Sequence, residues 1–443
     1  MVSRWLTTVV LFCGISTTLR ADVGAQFDIA PQAPEARHQV WAAAAWCESG
    51  GCWLVVWREG YLNDRVSDIW CARVAADGKS LDPQGIRLTD SKGLNNRPRV
   101  ASDGKGFLVV WETYHPSGTE QAADSSWNVV ARRVSADGQI DKNLLVIAGG
   151  PHNQCRPDVV FAKGHYVIAW MGYQRGIYGV HAIRYLPDGK PADDRPIVLA
   201  RHEPKDASKP GPMMNALLPV LATDQEGNVL ATFFQSILNA REHPGYSRHL
   251  AFRAIDPATG KPVGPEPSPR PTAKPIPGTG GYPYEQLAPG LALGRHGGLL
   301  VCRATGRNAP KVLSLCQLTK SGEVIAMRDF GSSLIADDNF YPLQMRPAVA
   351  FSGNSYLVVS DCLSYGSRAK KQDGARERYV RIIGWKVMED GKMESEDGFV
   401  LAGTESRQCL LPSVAAGPQG TYLVVYSEVR GVDNTKVAAR LVK

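Results

Sequence analysis

No run of about 18 apolar residues, the length a helix needs to cross a bilayer, occurs in this 443-residue chain, so no transmembrane anchor is expected. Neither sign of charge is concentrated: 50 Lys and Arg against 43 Asp and Glu are spread along the sequence. The basic stripe that nucleic-acid binding requires is therefore missing. Paired C-x2-C spacings with matching Cys or His are absent, which argues against structural zinc. The chain also lacks a G-x-S-x-G elbow, an H-E-x-x-H pair, a P-loop and a C-x-x-C-H haem attachment, so no cofactor is expected.

Gly and Pro, by contrast, are plentiful, at 44 and 30 residues in a chain that is 44% hydrophobic and 21% charged. Such punctuation favours many turns and short strands, and the apolar fraction suffices for a sizeable core. Met1–Arg4 is short and basic, Trp5–Ile15 is apolar, and Val23-Gly24-Ala25 supplies small residues, so residues 1–25 are expected to be an export leader cleaved near Ala25. The address implied is secreted or periplasmic. Bulky Phe12 before Cys13 is wrong for a lipoprotein cleavage site.

Losing Cys13 would leave eight of nine cysteines, an even number that suits disulfides in an oxidising compartment. Cys47 and Cys52 sit at the base of a four-residue hairpin loop and form the first expected bridge. Cys302 and Cys316 fall on adjacent strands and form the second. Cys362 and Cys409 are expected to approach each other across neighbouring modules.

The dominant signal is internal repetition. Arg97-Pro98-Arg99-Val100-Ala101 leads through Asp103-Gly104 to Phe107-Leu108-Val109-Val110-Trp111. Related text recurs at 156–170, 218–233, 288–303, 346–360 and 411–426, with a divergent first copy over 40–57. Each copy continues into an alternating strand that ends in a turn such as Asp77-Gly78, Asp137-Gly138, Asp188-Gly189 or Asp390-Gly391. A short apolar strand follows, as in Ile86–Leu88 or Phe399–Ala402. Every module thus reads as four short strands rich in Val, Ile, Leu, Tyr and Trp. The period of roughly 54–66 residues suits four-stranded blades with loop insertions.

Strands this short must stack sheet on sheet, and a ring of blades leaves few open edges. The expected fold is an all-β, seven-bladed β-propeller spanning residues 26–443. The last module stops at Leu441-Val442-Lys443, after its third strand, while Phe27-Asp28-Ile29-Ala30 precedes the first module and is similar to Phe399–Ala402. The N-terminal strand is therefore expected to complete the last blade. The repeat pattern resembles those of exported bacterial β-propeller proteins and, more distantly, of WD-repeat and Tol-type propellers. That resemblance implies a fold, not an activity, because propellers carry many functions. The Asp-box of sialidase propellers is not matched around Ser102-Asp103-Gly104.

In such a blade the first strand starts, and the second ends, on one shared rim. Long insertions fall there, over 112–126, 200–217, 266–287 and 361–378, and Thr272–Tyr284 reads as a flap or connector. The same rim collects His115, His152, His202 and His243, with Glu112, Arg156, Tyr173, Arg175 and Asp361, as candidate ligand-binding residues. The histidines have no fixed spacing, so ordinary loop composition competes with metal binding. Arg97 with Glu112, and Arg346 with Asp361, are placed to pair across neighbouring strands as structural clamps. Trp57, Trp111 and Trp170 follow the repeat and read as blade packing. Glu59, Glu112, Asp361 and Glu428 all end second strands, and nothing in the sequence selects a catalytic pair among them.

Two functional readings follow. The first is an exported recognition or scaffold propeller that binds a glycan, peptide or partner protein through its loop-rich face. The alternative is an exported carbohydrate-active hydrolase or lyase with rim carboxylates, His and Arg in acid-base roles.

Overall fold

The computed structural model describes residues 21–33, 38–60, 66–89, 93–114, 126–150, 152–174, 176–201, 214–237, 249–265, 267, 288–303, 313–331, 347–365, 378–431 and 434–443. Phe27–Asp28 forms β1. Blade 1 contains β2 (Gln39–Cys47), β3 (Cys52–Glu59), β4 (Asp68–Ala75) and β5 (Ile86–Arg87). Blade 2 contains β6 (Leu94–Ser102), β7 (Gly106–Tyr114), β8 (Trp127–Ser135) and β9 (Leu145–Ala148). Blade 3 contains β10 (Gln154–Ala162), β11 (His165–Gln174), β12 (Ile177–Tyr185) and β13 (Ile197–Ala200). Blade 4 contains β14 (Met214–Thr223), β15 (Val229–Ile237), β16 (His249–Ile255) and β17 (Pro262–Val263).

The fourth and fifth repeats, where Phe233 and Arg303 stand in place of Trp, still build blades. Blade 5 contains β18 (Gly290–Leu293), β19 (Gly298–Arg303), β20 (Leu313–Leu318) and β21 (Val324–Phe330). Blade 6 contains β22 (Ala348–Ser352), β23 (Ser355–Tyr365), β24 (Arg378–Met388) and β25 (Phe399–Ala402). Blade 7 has β26 (Cys409–Ala416), β27 (Tyr422–Gly431) and β28 (Asn434–Val442) from its own repeat.

The seventh sheet runs β1-β28-β27-β26, with Phe27 opposite Ala439 and Asp28 opposite Ala438. Successive inner strands touch from β2 through β6, β10, β14, β18, β22 and β26 back to β2, which closes a ring. The chain is a seven-bladed β-propeller, fastened by its N-terminal strand. The pairing reaches back further than β1: Asp22 and Lys443 exchange backbone hydrogen bonds, and the Gly24 N–H donates to the Leu441 carbonyl. The expected leader, up to Arg20, lies outside the described residues.

Blade stacking explains the composition. A middle strand covered on both faces is apolar throughout, and all eight residues of β3 are buried. Outer strands alternate instead, leaving Val146, Val198, Val263 and Val400 exposed. Apolar clusters fill the interfaces between blades. One holds Trp53, Val55, Leu423 and Val425 between blades 7 and 1, and another holds Leu108, Val110, Ile168 and Trp170 between blades 2 and 3. The Asp-Gly repeat has a simple cause at Asp77-Gly78. Gly78 has φ +90 and the Asp77 carboxylate caps the Lys79 N–H at 2.9 Å, a geometry that favours glycine.

The expected disulfides are not formed. Among the described residues eight cysteines are buried and none is in a disulfide. Cys47 faces Cys52 across the hairpin, but directly opposed strand positions hold their Cβ atoms about 4.5–5.5 Å apart, wider than most bridges accept. Cys302 faces Ser314 and Cys316 faces Leu300, so that pair is diagonal, and the two thiols are in hydrogen-bond contact and unbridged. Cys362 packs with blade 5 and Cys409 between blades 6 and 7, on separate faces. Thiol titration of the native protein should find these eight unreactive, and all eight should react after denaturation; a smaller count after denaturation would reveal bridges.

Candidate functional site

Five of the seven blades, 1 to 4 and 7, begin with a device that the repeat does not announce. Trp41, Arg97, Arg156, Leu218 and Leu411 adopt φ between +53 and +62. Each sits inside a register shift where its inner strand bulges away from the second strand. Proline follows at 98, 157, 219 and 412, and it suits a bulge because it has no N–H to pair. Left-handed backbone costs a non-glycine residue about 1 kcal/mol or more, so the surroundings must hold it in place. These bulges frame a central funnel of about 260 Å³, lined by Trp41, Arg97, Arg99 and Arg156 on one side and by Leu218, Pro289, Pro347 and Leu411 on the other.

The carboxylates supply the holding force. Glu112 takes the Arg97 guanidinium at 3.1 Å and, from the next blade, the backbone N–H of Arg156 at 2.8 Å. Asp361 likewise accepts the N–H of Leu411 at 3.2 Å from the blade after its own. Asp158 accepts the Leu221 N–H at 2.8 Å and lies 3.6 Å from Arg99. Burial raises the Asp158 pKa, with Arg99 and the backbone N–H groups pulling the other way. Glu59 accepts from Gln39 at 3.1 Å and Trp57 at 3.4 Å. Glu428 accepts from Gln26 at 2.9 Å and Arg430 at 2.7 Å. Glu59, Glu112, Asp361 and Glu428 are each at most 6% exposed.

Glu112 and Asp361, expected as ligand-binding residues, therefore face blade-to-blade contacts. The Arg97–Glu112 clamp is present; Arg346 lies outside the described residues. Trp57, Trp111 and Trp170 are buried core. Their indole N–H groups are held by polar residues of the same blade, Trp111 by Asn95 at 2.9 Å and Trp170 by Gln154 at 2.8 Å.

Of the expected rim residues, His152 and Tyr173 come together on blade 3, and Arg156 lines the central funnel. His115, Arg175, His202, His243 and the segment Thr272–Tyr284 lie outside the described residues. Among the described residues no three His, Cys, Asp or Glu side chains are grouped to hold a metal. Exposed His152 meets the Tyr173 ring edge-on at 6.0 Å, and Tyr173 lies 4.9 Å from Tyr178. Asn153 ties this group to blade 2: its amide reaches the Tyr178 hydroxyl at 3.5 Å and its oxygen takes the Trp127 N–H at 3.1 Å. Trp127 in turn packs on Tyr114 at 5.5 Å. Burial raises the Tyr178 pKa, and Asn153 and Arg156 oppose it. The result is a belt of aromatic faces beside the arginine side of the funnel, an arrangement suited to planar or ring-shaped ligands with polar edges.

Sequence reasoning missed Tyr114, Trp127 and Tyr178. Tyr114 and Trp127 face each other across two strands of blade 2, and only the meeting of blades 2 and 3 brings Tyr178 to them. It also missed His181, on the third strand of blade 3, which stacks on Trp170 at 5.8 Å and 26°. Burial first, and the charge of Arg201 second, lower its pKa to about 4, so its imidazole is neutral near pH 7.

No protein-family model matches the chain, and no curated protein does so either. Solved structures do match, and they define the class as the β-propeller. A protein of unknown function from Dyadobacter fermentans superposes with TM-score 0.50 at 10% identity, over 96% of this chain and 99% of its own. The polysaccharide lyase Uly1 gives 0.53 at 12%, over 94% and 90%. Trypanosoma rangeli sialidase in complex with sialic acid gives 0.48 at 7% over 95% of this chain, which spans 58% of the sialidase. At such identities the likeness is one of fold. Among the described residues no helix is long and apolar enough to cross a membrane.

Proposed function

We propose that the protein is an exported recognition propeller that binds an acidic glycan on the rim over blades 2 and 3. The observation that carries this reading is the aromatic group of His152, Tyr173 and Tyr178, tied through Asn153 to the Trp127 backbone and within electrostatic reach of Arg156, where the neighbouring carboxylate Glu112 is already engaged between blades. Sugar rings stack on such faces, and guanidinium groups take carboxylate or sulfate substituents. A full-length fold likeness to a polysaccharide lyase supports a glycan over a peptide or protein ligand. Export rests on the basic and apolar start of the chain. The bonds of Asp22 and Gly24 to the C-terminal strand favour a cut before Asp22 over the expected one near Ala25, which the intact mass of the exported protein would check.

The test is retention on immobilised uronate-bearing and neutral polysaccharides, with reducing and unsaturated chain ends assayed in parallel. Retention on the acidic polymers, weakened by salt and about tenfold by Arg156→Ala or Tyr173→Ala, is expected, with no new chain ends. Failure on every polysaccharide overturns the glycan reading. The lyase reading is favoured by one observation, the closeness of a candidate base, His152, to a candidate acid, Tyr173. Unsaturated ends that disappear with Tyr173→Phe would establish it instead.

A further inference from the structure

A cleft of about 390 Å³ opens between the outer strand of blade 2 and blade 3. Its walls include Ala148, Gln154, Trp170, Tyr173, Gln174 and His181. Blade 3 makes this space by leaving out a side chain. Two residues beyond the repeat's aromatic position, blades 1, 2, 4 and 7 carry Glu59, Thr113, Gln235 and Glu428, and blade 3 carries Gly172. A Cβ on Gly172 would lie 2.6 Å from Gln154 Oε1 and 3.0 Å from His181 Cδ2. Gly179 leaves room on the other side, where a Cβ would lie 3.1 Å from His181 Nε2.

The two glycines keep clear an imidazole that sits opposite Trp170 in the strand register, where blades 2, 4, 6 and 7 place Val130, Ala251, Ile383 and Ala438. His181 is half-buried and makes no hydrogen bond within the described structure. A polar ring held in an apolar stack, with its edge turned to a cavity, incurs a desolvation cost that a ligand would offset.

We propose that this cleft is a subsite for one neutral sugar ring, hydrogen-bonded by the His181 imidazole and the Gln154 amide and covered by Tyr173. A neutral imidazole offers one N–H and one lone pair; the Gln154 oxygen already accepts from Trp170 and the Gln174 oxygen from Arg201, so the amides add chiefly N–H donors, which match sugar hydroxyl oxygens. No carboxylate lines the cleft among the described residues, and the charged group acting on His181 is Arg201, so a cationic ligand is disfavoured. The volume is at the small end of ligand sites, about 300–1,000 Å³, enough for one ring or two. His152 and Tyr173 belong both to this cleft and to the rim belt, so the subsite extends the glycan reading and rests on it.

The experiment is a titration of the full-length mature protein, with labelled histidine side chains, by neutral hexoses, deoxyhexoses and pentoses up to about 100 mM, followed by NMR; binding in the millimolar range is expected for a single ring. The His181 resonances should move with at least one neutral sugar. That shift should persist in Arg156→Ala and be lost in His181→Phe, which keeps the stack and removes both nitrogens. Gly172→Ala, whose methyl would push the Gln154 amide and the His181 ring out of place, should weaken the same sugar about tenfold. His181 resonances unmoved by every sugar overturn the subsite, even if acidic polysaccharides are retained on the rim. Movement without any polysaccharide retention keeps the subsite and removes the rim reading. If His181→Phe fails to fold, the wild-type titration decides alone.

Discussion

Removing residues 21–30 is expected to open the propeller at blade 7, at a cost of more than about 5 kcal/mol, and to turn a sharp melting transition into an early, aggregating one. The segment supplies the whole fourth strand of that blade. Its loss removes the Phe27–Ala439 and Asp28–Ala438 pairings and the bonds of Asp22, Gly24 and Ile29 to Lys443, Leu441 and Val437. Ile29, wholly buried among Trp53, Leu423 and Val437, would be taken from the core between the first and last blades. Arg430 would lose its bidentate partner Asp28, and Glu428 and Tyr426 would lose Gln26. The freed edge of β28 would then offer unpaired backbone groups to other chains. Calorimetry with size-exclusion chromatography checks this, and an unchanged melt and elution would show that the ring does not depend on its N-terminal fastening. Ile29→Ala is the milder version, expected to cost about 2–5 kcal/mol.

Glu112→Ala should destabilise the fold by about 3–5 kcal/mol, because it removes a carboxylate that the largely buried Arg97 guanidinium and the Arg156 N–H both engage. Glu112→Gln keeps an acceptor oxygen for that N–H and should cost roughly half as much. Denaturant unfolding of the two variants gives the comparison. It also separates structure from catalysis. A carboxylate that served only in turnover would tolerate both changes in stability while losing activity with both. An undiminished unfolding midpoint for Glu112→Ala would return Glu112 to the list of catalytic candidates.

The legibility of this protein in its sequence follows from how a propeller is built. Each blade buries the same faces against its neighbours, so the same apolar strand recurs, as in Phe107–Trp111 and Tyr166–Trp170. Each third strand turns back at a tight bend, so Asp and Gly recur with it. Closure was readable because the last repeat ends one strand short and Phe27–Ala30 matches the missing piece. The Arg97–Glu112 clamp was readable because both residues lie on adjacent strands of one blade. The clamp from Glu112 to the Arg156 N–H was not, since the acceptor and donor belong to different blades and the donor is a backbone group exposed by a bulge. The cysteines misled for a related reason. Adjacency on paired strands was visible for Cys302 and Cys316, but their two-residue offset was not.

Repetition of a buried pattern therefore set the architecture, the blade number and the order of strands from the sequence alone, because backbone pairing and apolar burial act locally and in the same way in every copy. The character of the rim was decided only by the ring. Closing it sets Asn153 and Arg156 of one blade against Trp127 and Glu112 of another, and it engages Glu112 and Asp361 in contacts to the next blade. Which polar groups face solvent and which face one another depends on the angle and spacing between blades, and no single repeat carries that information.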